Sequence, residues 1–167
     1  MGGGIVEKLA VKGGKPVSER KIPISRPLIG EEEIREVIEV LKSGRLREGE
    51  IARKFEQEFA EKCGAKHAIV VSSGTAALHL ALLAVLKPGD EVVVPAFSFA
   101  ASANTILLAG GRPVFADIDE KTYTMDPNDV LEKITPKTKA IEPVHLYGQP
   151  ADIKPLLEIA DDHKLWV

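Results

Sequence analysis

Two segments near the start of the chain have the hydrophobic spacing of amphipathic helices. In the first, apolar residues recur at intervals of three and four behind three glutamates: Ile34, Val37, Ile38 and Leu41. This pattern predicts a helix over residues 31–42 that ends at Ser43-Gly44, because acidic residues favour the positive end of a helix. A second helix is predicted over about 50–63, ending at Gly64.

Short apolar runs then alternate with helical patterns. The runs begin near residues 67, 91, 113, 140 and 165, and they predict strands at 68–71, 92–94, 114–118, 140–144 and from 165 onward. The first run is apolar throughout, as in a buried parallel strand. Helices are predicted over about 74–86, 98–108, 127–134 and 153–163. Strict alternation of this kind predicts an α/β fold, with a mainly parallel sheet covered by helices on both faces.

The helix predicted to begin at Gly74 differs from the two early ones. Its sequence, Thr75 to Leu86, is apolar nearly all round. A helix of that kind is usually covered on every side, so we expect it to be buried.

Composition excludes several classes of protein. The chain has 167 residues with 22 Lys and Arg, 25 Asp and Glu, and a formal net charge of -3, which disfavours a nucleic-acid binder. A single cysteine, Cys63, cannot form an intrachain disulfide. No apolar run approaches the roughly 20 residues that span a bilayer. We therefore expect a cytoplasmic protein with no membrane or nucleic-acid partner, and a mobile or loosely docked arm over residues 1–20.

The segments after the strands are the places to search for chemistry, because ligands of open parallel sheets bind at the carboxyl ends of the strands. Val71-Ser72-Ser73-Gly74-Thr75-Ala76 combines a glycine, two hydroxyls and a helix N-terminus, as a phosphate-binding turn does. The same residues are also typical of an ordinary helix cap, which the spacing alone favours.

Aromatic and imidazole side chains follow two other strands. Phe97 and Phe99 could cover a planar ring or could fill the core, and the pattern favours the core. His145 could donate to a ligand or serve only the structure. Cys63 and His67 are too few to bind a metal, so no metal site is predicted.

Several motifs in one order resemble a known family. These are IPISRPLIGEEEIREVIEVLKSGRLREGE, FEQEFAEKCGAKHAIVVSSGTAALHLAL, PGDEVVVPAFSFAASANTILLAGGRPVFADID and AIEPVHLYGQPADI. Together they resemble the N-terminal part of the DegT/StrS family of pyridoxal-phosphate (PLP) sugar aminotransferases, over about residues 15–167.

The resemblance implies a fold, a cofactor and a reaction. The fold is the parallel-sheet, three-layer large domain of a type I aminotransferase, in a homodimer with sites at the subunit interface. The reaction is amino transfer from glutamate or glutamine to a nucleotide-linked keto sugar, in polysaccharide or antibiotic sugar biosynthesis.

It also implies roles for particular residues. Gly74, Thr75 and Ala76 match the segment that holds the PLP phosphate, Phe99 matches the aromatic residue that stacks on the pyridine ring, and His145 lies in a PVHLYG signature near the cofactor. The loop from Ser43 to Gly49 resembles one that approaches the neighbouring subunit's site.

The sequence departs from the family at two points. Glu142 stands where an apolar strand residue is usual. The E-D-x-A-Q signature and the Schiff-base lysine are both missing, so no catalytic residue is assigned and the domain is expected to be incomplete at its C-terminus. The expected organisation is an arm over 1–20, helices over 21–64 and a partial PLP-binding domain over 65–167. The alternatives are a non-catalytic PLP- or phosphate-binding or regulatory fragment and, less favoured, a DNA-binding protein.

Overall fold

The computed structural model describes residues 8–47 and 49–167. The chain divides into two compact units, residues 1–68 and 69–167. Part of the predicted arm, residues 1–7, and Glu48 of the glycine-containing loop lie outside the described residues. In the described part, no helix is both long and apolar enough to cross a membrane.

The first unit contains two helices whose ends follow the sequence signals. A single 3₁₀ turn at Ala10–Lys12 precedes helix α1, Glu31–Ser43, and helix α2, Glu50–Cys63. The Gly30 amide donates to the Glu33 carboxylate over 2.6 Å, which caps the start of α1. Gly44 and Gly64 end the two helices at positive φ, 68° and 64°, where glycine is favoured. Both helix predictions are confirmed.

The second unit is an α/β arrangement around a small parallel sheet. Its elements in chain order are α3 Gly74–Val85, β1 Glu91–Pro95, α4 Ala100–Leu108, β2 Arg112–Ala116, α5 Pro127–Lys133, β3 Thr138–Ile141 and α6 Ile153–His163. The strand order is β2-β1-β3, with both pairings parallel. Trp166 forms a parallel bridge to Ala140 on the free side of β3, at the place of the fifth predicted strand.

Helices cover both faces of this sheet. On one face, Val93 and Ile141 pack with Val130 of α5 and Leu156 of α6. On the other face the core comprises Val92, Val94, Ala140, Leu82 of α3 and Ile106 of α4. Alternate residues of β1 thus enter opposite cores, and all five of its residues are buried. The predicted three-layer α/β class is confirmed.

The first predicted strand is wrong. Residues 68–71 are irregular backbone, and the side chain of Ile69 is 81% exposed. A strand is stabilised by a neighbouring strand, and the described sheet, in the order β2-β1-β3, does not include this segment. Apolar character alone therefore did not determine its structure.

The burial expected for α3 is also wrong. Leu82 is the one buried residue of α3, whereas Leu80 and Leu83 are 52% and 50% exposed. One side of α3 packs against α4 and the sheet. The described elements of this unit leave the opposite side open.

Two strands begin earlier than the apolar runs suggest. β2 starts at Arg112 and ends at Ala116, and β3 starts at Thr138 and ends at Ile141. Pairing determines these bounds: Glu91, the first residue of β1, lies opposite both Arg112 and Thr138. The bounds of the strands are thus set by how the three strands pair, rather than by the hydrophobicity of each strand.

Candidate functional site

A cavity of about 720 Å³ lies in the second unit, at the carboxyl ends of the strands. It is bordered by residues from α3, from the β1–α4 connection and from the segment after β3, among them Gly74, Thr75, Leu78, Phe99, Ser102 and Val144. This is where the rule for open parallel sheets places a ligand. It brings together the two motifs that the sequence singles out after its first two predicted strands.

The N-terminus of α3 provides hydrogen-bond donors at this cavity. The Ser73 hydroxyl accepts from the Ala76 amide over 3.1 Å, and the Ser73 carbonyl accepts from the Ala77 amide over 3.1 Å. Helix geometry leaves the amides of Gly74 and Thr75 without an acceptor inside the helix. A side chain added at Gly74 would meet no atom within 4 Å, so the space beside it is open. The turn is thus a helix cap whose first amides remain available as donors, the arrangement by which helix N-termini bind anions in other proteins.

Phe99 provides an aromatic surface at the same cavity. It is the N-cap residue of α4, and its side chain is 77% exposed. Phe97 is placed differently: its ring contacts Tyr123 with centroids 6.3 Å apart, and it is not among the residues that border the cavity. The structure thus places Phe99, the residue that the resemblance assigns to the pyridine ring, at the cavity and places Phe97 away from its wall.

Ala76 and His145 stand apart from the cavity wall. Neither is among its bordering residues, although each adjoins one, Thr75 and Val144 respectively. The Ala76 amide is occupied by the Ser73 cap. The His145 ring accepts at Nδ1 from the Ala151 amide over 3.0 Å, so the neutral ring carries its proton on Nε2. His145 is exposed and offers a hydrogen-bond donor at the edge of the sheet.

Two serines in the cavity wall were missed by the sequence reasoning. Ser98 and Ser102 are four residues apart, and the Ser98 hydroxyl donates to the Ser102 hydroxyl over 3.3 Å. Ser98 precedes α4 and Ser102 lies in its first turn. The signal that could have revealed them is their position on either side of Phe99 in the segment after a strand, where ligands of parallel sheets bind.

Glu142 lies close to Ser102 on α4. Burial raises the pKa of its carboxyl group, and the nearby Ser102 hydroxyl opposes that rise. Both carboxyl oxygens are buried, and neither has a hydrogen-bond partner of standard geometry among the described residues. Glu142 stands where the family usually has an apolar strand residue, and the structure buries its carboxyl group.

The first unit has a cavity of its own. It has a volume of about 760 Å³ and is bordered by Ser43, Arg45, Arg47 and Gly49 of the loop that resembles the family's subunit-contacting loop. The Arg45 guanidinium lies 3.4 Å from the Glu50 carboxylate. Arg45 of the loop therefore forms an exposed ion pair with Glu50, the first residue of α2.

Two features of the cavity in the second unit fit parts of PLP. Two amides at the positive end of α3 suit its phosphate group, and the exposed ring of Phe99 suits its pyridine ring. The residues that border it carry no charged side chain. The fold and the site define a cofactor-binding α/β domain of the aminotransferase class.

The comparisons with known proteins agree. The model of the DegT/DnrJ/EryC1/StrS aminotransferase family matches residues 27–167, and the chain belongs to this family. The cofactor of the family is PLP, as the resemblance implies, and solved relatives contain it.

Individual relatives are similar over most of the chain. The spore coat polysaccharide biosynthesis protein SpsC of Bacillus subtilis is 51% identical over 147 residues, 87% of this chain and 38% of its own. The GDP-perosamine synthase of Caulobacter vibrioides is 50% identical over 120 residues, 71% of this chain and 32% of its own. The crystal structure of DesV from S. venezuelae matches with a TM-score of 0.75 at 44% identity, covering 80% of this chain and 38% of that one. The chain thus spans about two fifths, or less, of the length of these proteins.

Proposed function

We propose that this chain forms the phosphate-binding and ring-binding part of a PLP site in a sugar aminotransferase. The reaction is amino transfer from glutamate or glutamine to a keto group on a nucleotide-linked sugar. The expected location is the cytoplasm. The names of two relatives, a spore coat polysaccharide biosynthesis protein and a GDP-perosamine synthase, support the sugar as the acceptor.

One observation carries the proposal. The cap of α3 leaves the amides of Gly74 and Thr75 free, and both residues border the same cavity as the exposed ring of Phe99. An anion at the amides and a flat ring against Phe99 are the two ends of one molecule, pyridoxal phosphate. A simple anion site would not need the aromatic residue.

Each residue has a distinct task in this proposal. The amides of Gly74 and Thr75, with the Thr75 hydroxyl, hold the phosphate dianion by charge-assisted hydrogen bonds. Phe99 covers one face of the ring and excludes water from it. Ala76 supports the turn through its hydrogen bond to Ser73, and the Nε2 proton of His145 orients a polar group at the edge of the cleft. When bound, PLP supplies an electron sink for the reacting amine.

The loop from Ser43 to Gly49 belongs to the same proposal through a second subunit. We expect a homodimer in which this loop, with Arg45 at its surface, approaches the partner's site. Arginine suits the phosphates of a nucleotide-linked sugar because its guanidinium makes paired hydrogen bonds to phosphate.

Cofactor binding is tested with pyridoxamine 5′-phosphate, which has no aldehyde and does not react with exposed lysines. Isothermal titration should show one site per chain, and pyridoxamine without the phosphate should bind at least tenfold more weakly, because the amides of α3 contact the phosphate. Equal affinity for the two ligands would reject the phosphate site.

The reaction is tested in the gene product that contains these residues. Glutamate and a GDP-linked 4-keto sugar should yield 2-oxoglutarate and an amino sugar, detected by mass spectrometry. Binding of the cofactor without any amine transfer, over a panel of keto sugars and both donors, would favour the non-catalytic alternative.

A further inference from the structure

Phe97 and Tyr123 form an aromatic pair beyond the carboxyl ends of β1 and β2. Phe97 lies two residues after β1, and Tyr123 lies in the connection between β2 and α5. Their ring centroids are 6.3 Å apart, with an angle of 57° between the ring planes. Each side chain is about half exposed. Both rings therefore keep part of their aromatic surface open to solvent, outside the wall of the cofactor cavity.

The backbone holds Tyr123 in an unfavourable conformation. Its φ is 58°, in the left-handed region that bulky side chains avoid. Hydrogen bonds keep it there: the Tyr123 amide donates to the Asp119 carbonyl over 2.8 Å, and the Thr122 amide donates to the Asp119 carboxylate over 2.9 Å. The Asp119 amide in turn donates to the Thr124 carbonyl over 2.9 Å. The ring thus stands at this position at a cost in backbone strain, and strain of this kind concentrates at ligand-binding positions.

The aromatic pair and the cofactor cavity are neighbours at one edge of the sheet. Phe97 is two residues before Phe99, so their Cα atoms are at most about 7 Å apart. The Ala96 amide donates to the Ala116 carbonyl over 2.8 Å, which continues the β1–β2 pairing up to Phe97. Ligands of parallel sheets bind outside this edge. A substrate that reacts at the cofactor therefore has the aromatic pair beside it.

The charges around Tyr123 discriminate between the parts of a substrate. Residues 117–125 contain three acidic side chains and one basic side chain, which are Asp117, Asp119, Glu120 and Lys121. This surplus of negative charge repels phosphate groups and tolerates a neutral aromatic ring. In a nucleotide-linked sugar, the diphosphate and the ribose separate the base from the keto carbon. The base is thus the part that binds away from the cofactor and that suits an uncharged aromatic surface.

We propose that Phe97 and Tyr123 bind the base of the nucleotide-linked sugar by stacking against it. The inference rests on the proposed function, because that function supplies the nucleotide-linked substrate. It adds a binding site outside the cofactor cavity: Phe99 contacts the cofactor ring, and Phe97 contacts the substrate. GDP is a suitable probe, since one relative of the chain is a GDP-perosamine synthase.

The site is tested by isothermal titration of GDP into the gene product that contains these residues, with pyridoxamine 5′-phosphate present. Tyr123→Asn removes the ring and introduces a residue that tolerates a positive φ, so its melting temperature should rise or stay unchanged. GDP binding should weaken by roughly fivefold or more, as it does when a base-stacking ring is lost. Pyrophosphate, which has no base, and pyridoxamine 5′-phosphate should bind as tightly as before. Phe97→Leu should show the same selective loss, and it replaces Tyr123→Asn if that variant does not fold.

Tyr147 provides a matched control. It is the chain's other tyrosine and also has a positive φ, 50°, in the turn after β3, with an exposed side chain. Tyr147→Asn makes the same change in size, polarity and backbone strain, and should leave the affinity for GDP unchanged. Tyr123→Phe keeps the ring and should retain the native affinity. An equal loss from Tyr147→Asn, or no loss from Tyr123→Asn, would overturn the inference.

Three further outcomes separate this inference from its alternatives. If Tyr123→Asn changes the number of subunits in light scattering but not the affinity for GDP, the pair is a contact between subunits and the inference is wrong. If the native protein binds pyridoxamine 5′-phosphate but not GDP, the base site is rejected and the cofactor site stands. If it binds GDP with the expected losses in the variants but does not bind pyridoxamine 5′-phosphate, the base site stands and the PLP site is rejected.

Discussion

The two faces of the sheet are built differently, although they share the same three strands. The α5/α6 face is closed, with Val93, Val130, Ile141 and Leu156 almost fully buried and purely apolar. The α3/α4 face contains the cavity, the exposed ring of Phe99 and the two buried polar groups of His79 and Glu142. One face is therefore a closed apolar core, and the other contains the candidate site at some cost in packing.

The closed face should dominate folding stability. Leu156→Ala removes a fully buried side chain and should lower the free energy of unfolding by about 2–5 kcal/mol, because it leaves a cavity. On the other face Leu83, which is half exposed, should lose about 1 kcal/mol or less on the same change. Urea unfolding measures both. Equal losses would mean that the open side of α3 is covered after all.

The phosphate-binding turn should dominate ligand binding. Thr75→Ala removes a hydroxyl predicted to bond a charged phosphate, which is worth about 1.5–3 kcal/mol, or roughly ten- to hundredfold in affinity for pyridoxamine 5′-phosphate. Thr75→Ser keeps the hydroxyl and is the control. Titration calorimetry gives the affinities, and a Thr75→Ala variant that binds as tightly as Thr75→Ser would remove this hydroxyl from the site.

The aromatic surface should have a smaller effect. Phe99→Ala removes a ring contact worth about 0.5–1.5 kcal/mol, so binding should weaken by roughly two- to tenfold. Phe97→Ala, whose ring packs on Tyr123, is the comparison and should change stability more than affinity. The reverse result, with Phe97 controlling affinity, would exchange the roles of the two rings.

The smallest expected effect is a change in how stability declines at acidic pH. Asp119, in the exposed turn before α5, accepts from the amides of Thr122 and Lys121, which hold the pKa of its carboxyl group below the usual value. Its contribution to stability is therefore present above the ordinary pKa of an aspartate and lost as the pH falls through the lowered one. Asp119→Asn should flatten this acid-side decline in thermal unfolding. An unchanged decline would place the acid-sensitive groups elsewhere.

The fold was predictable wherever the pattern is local. Helices α1, α2 and α6 follow from spacing and end signals, and β1 from a continuous apolar run, because periodicity and capping depend on near neighbours. Residues 68–71 have the same apolar character as β1 but are not part of the described sheet. A strand depends on the segment beside it, which local pattern does not specify.

The candidate site divides in the same way. The helix start at Gly74 was predictable because its cap residues are contiguous; their spacing alone favoured an ordinary cap, and only the resemblance to the family implied a phosphate-binding role. The contact of the Phe97 ring with Tyr123, and the burial of the Glu142 carboxyl group beside the α3/α4 core, depend on which segments the sheet register brings together. These contacts join residues far apart in the chain, so only the tertiary structure could decide them.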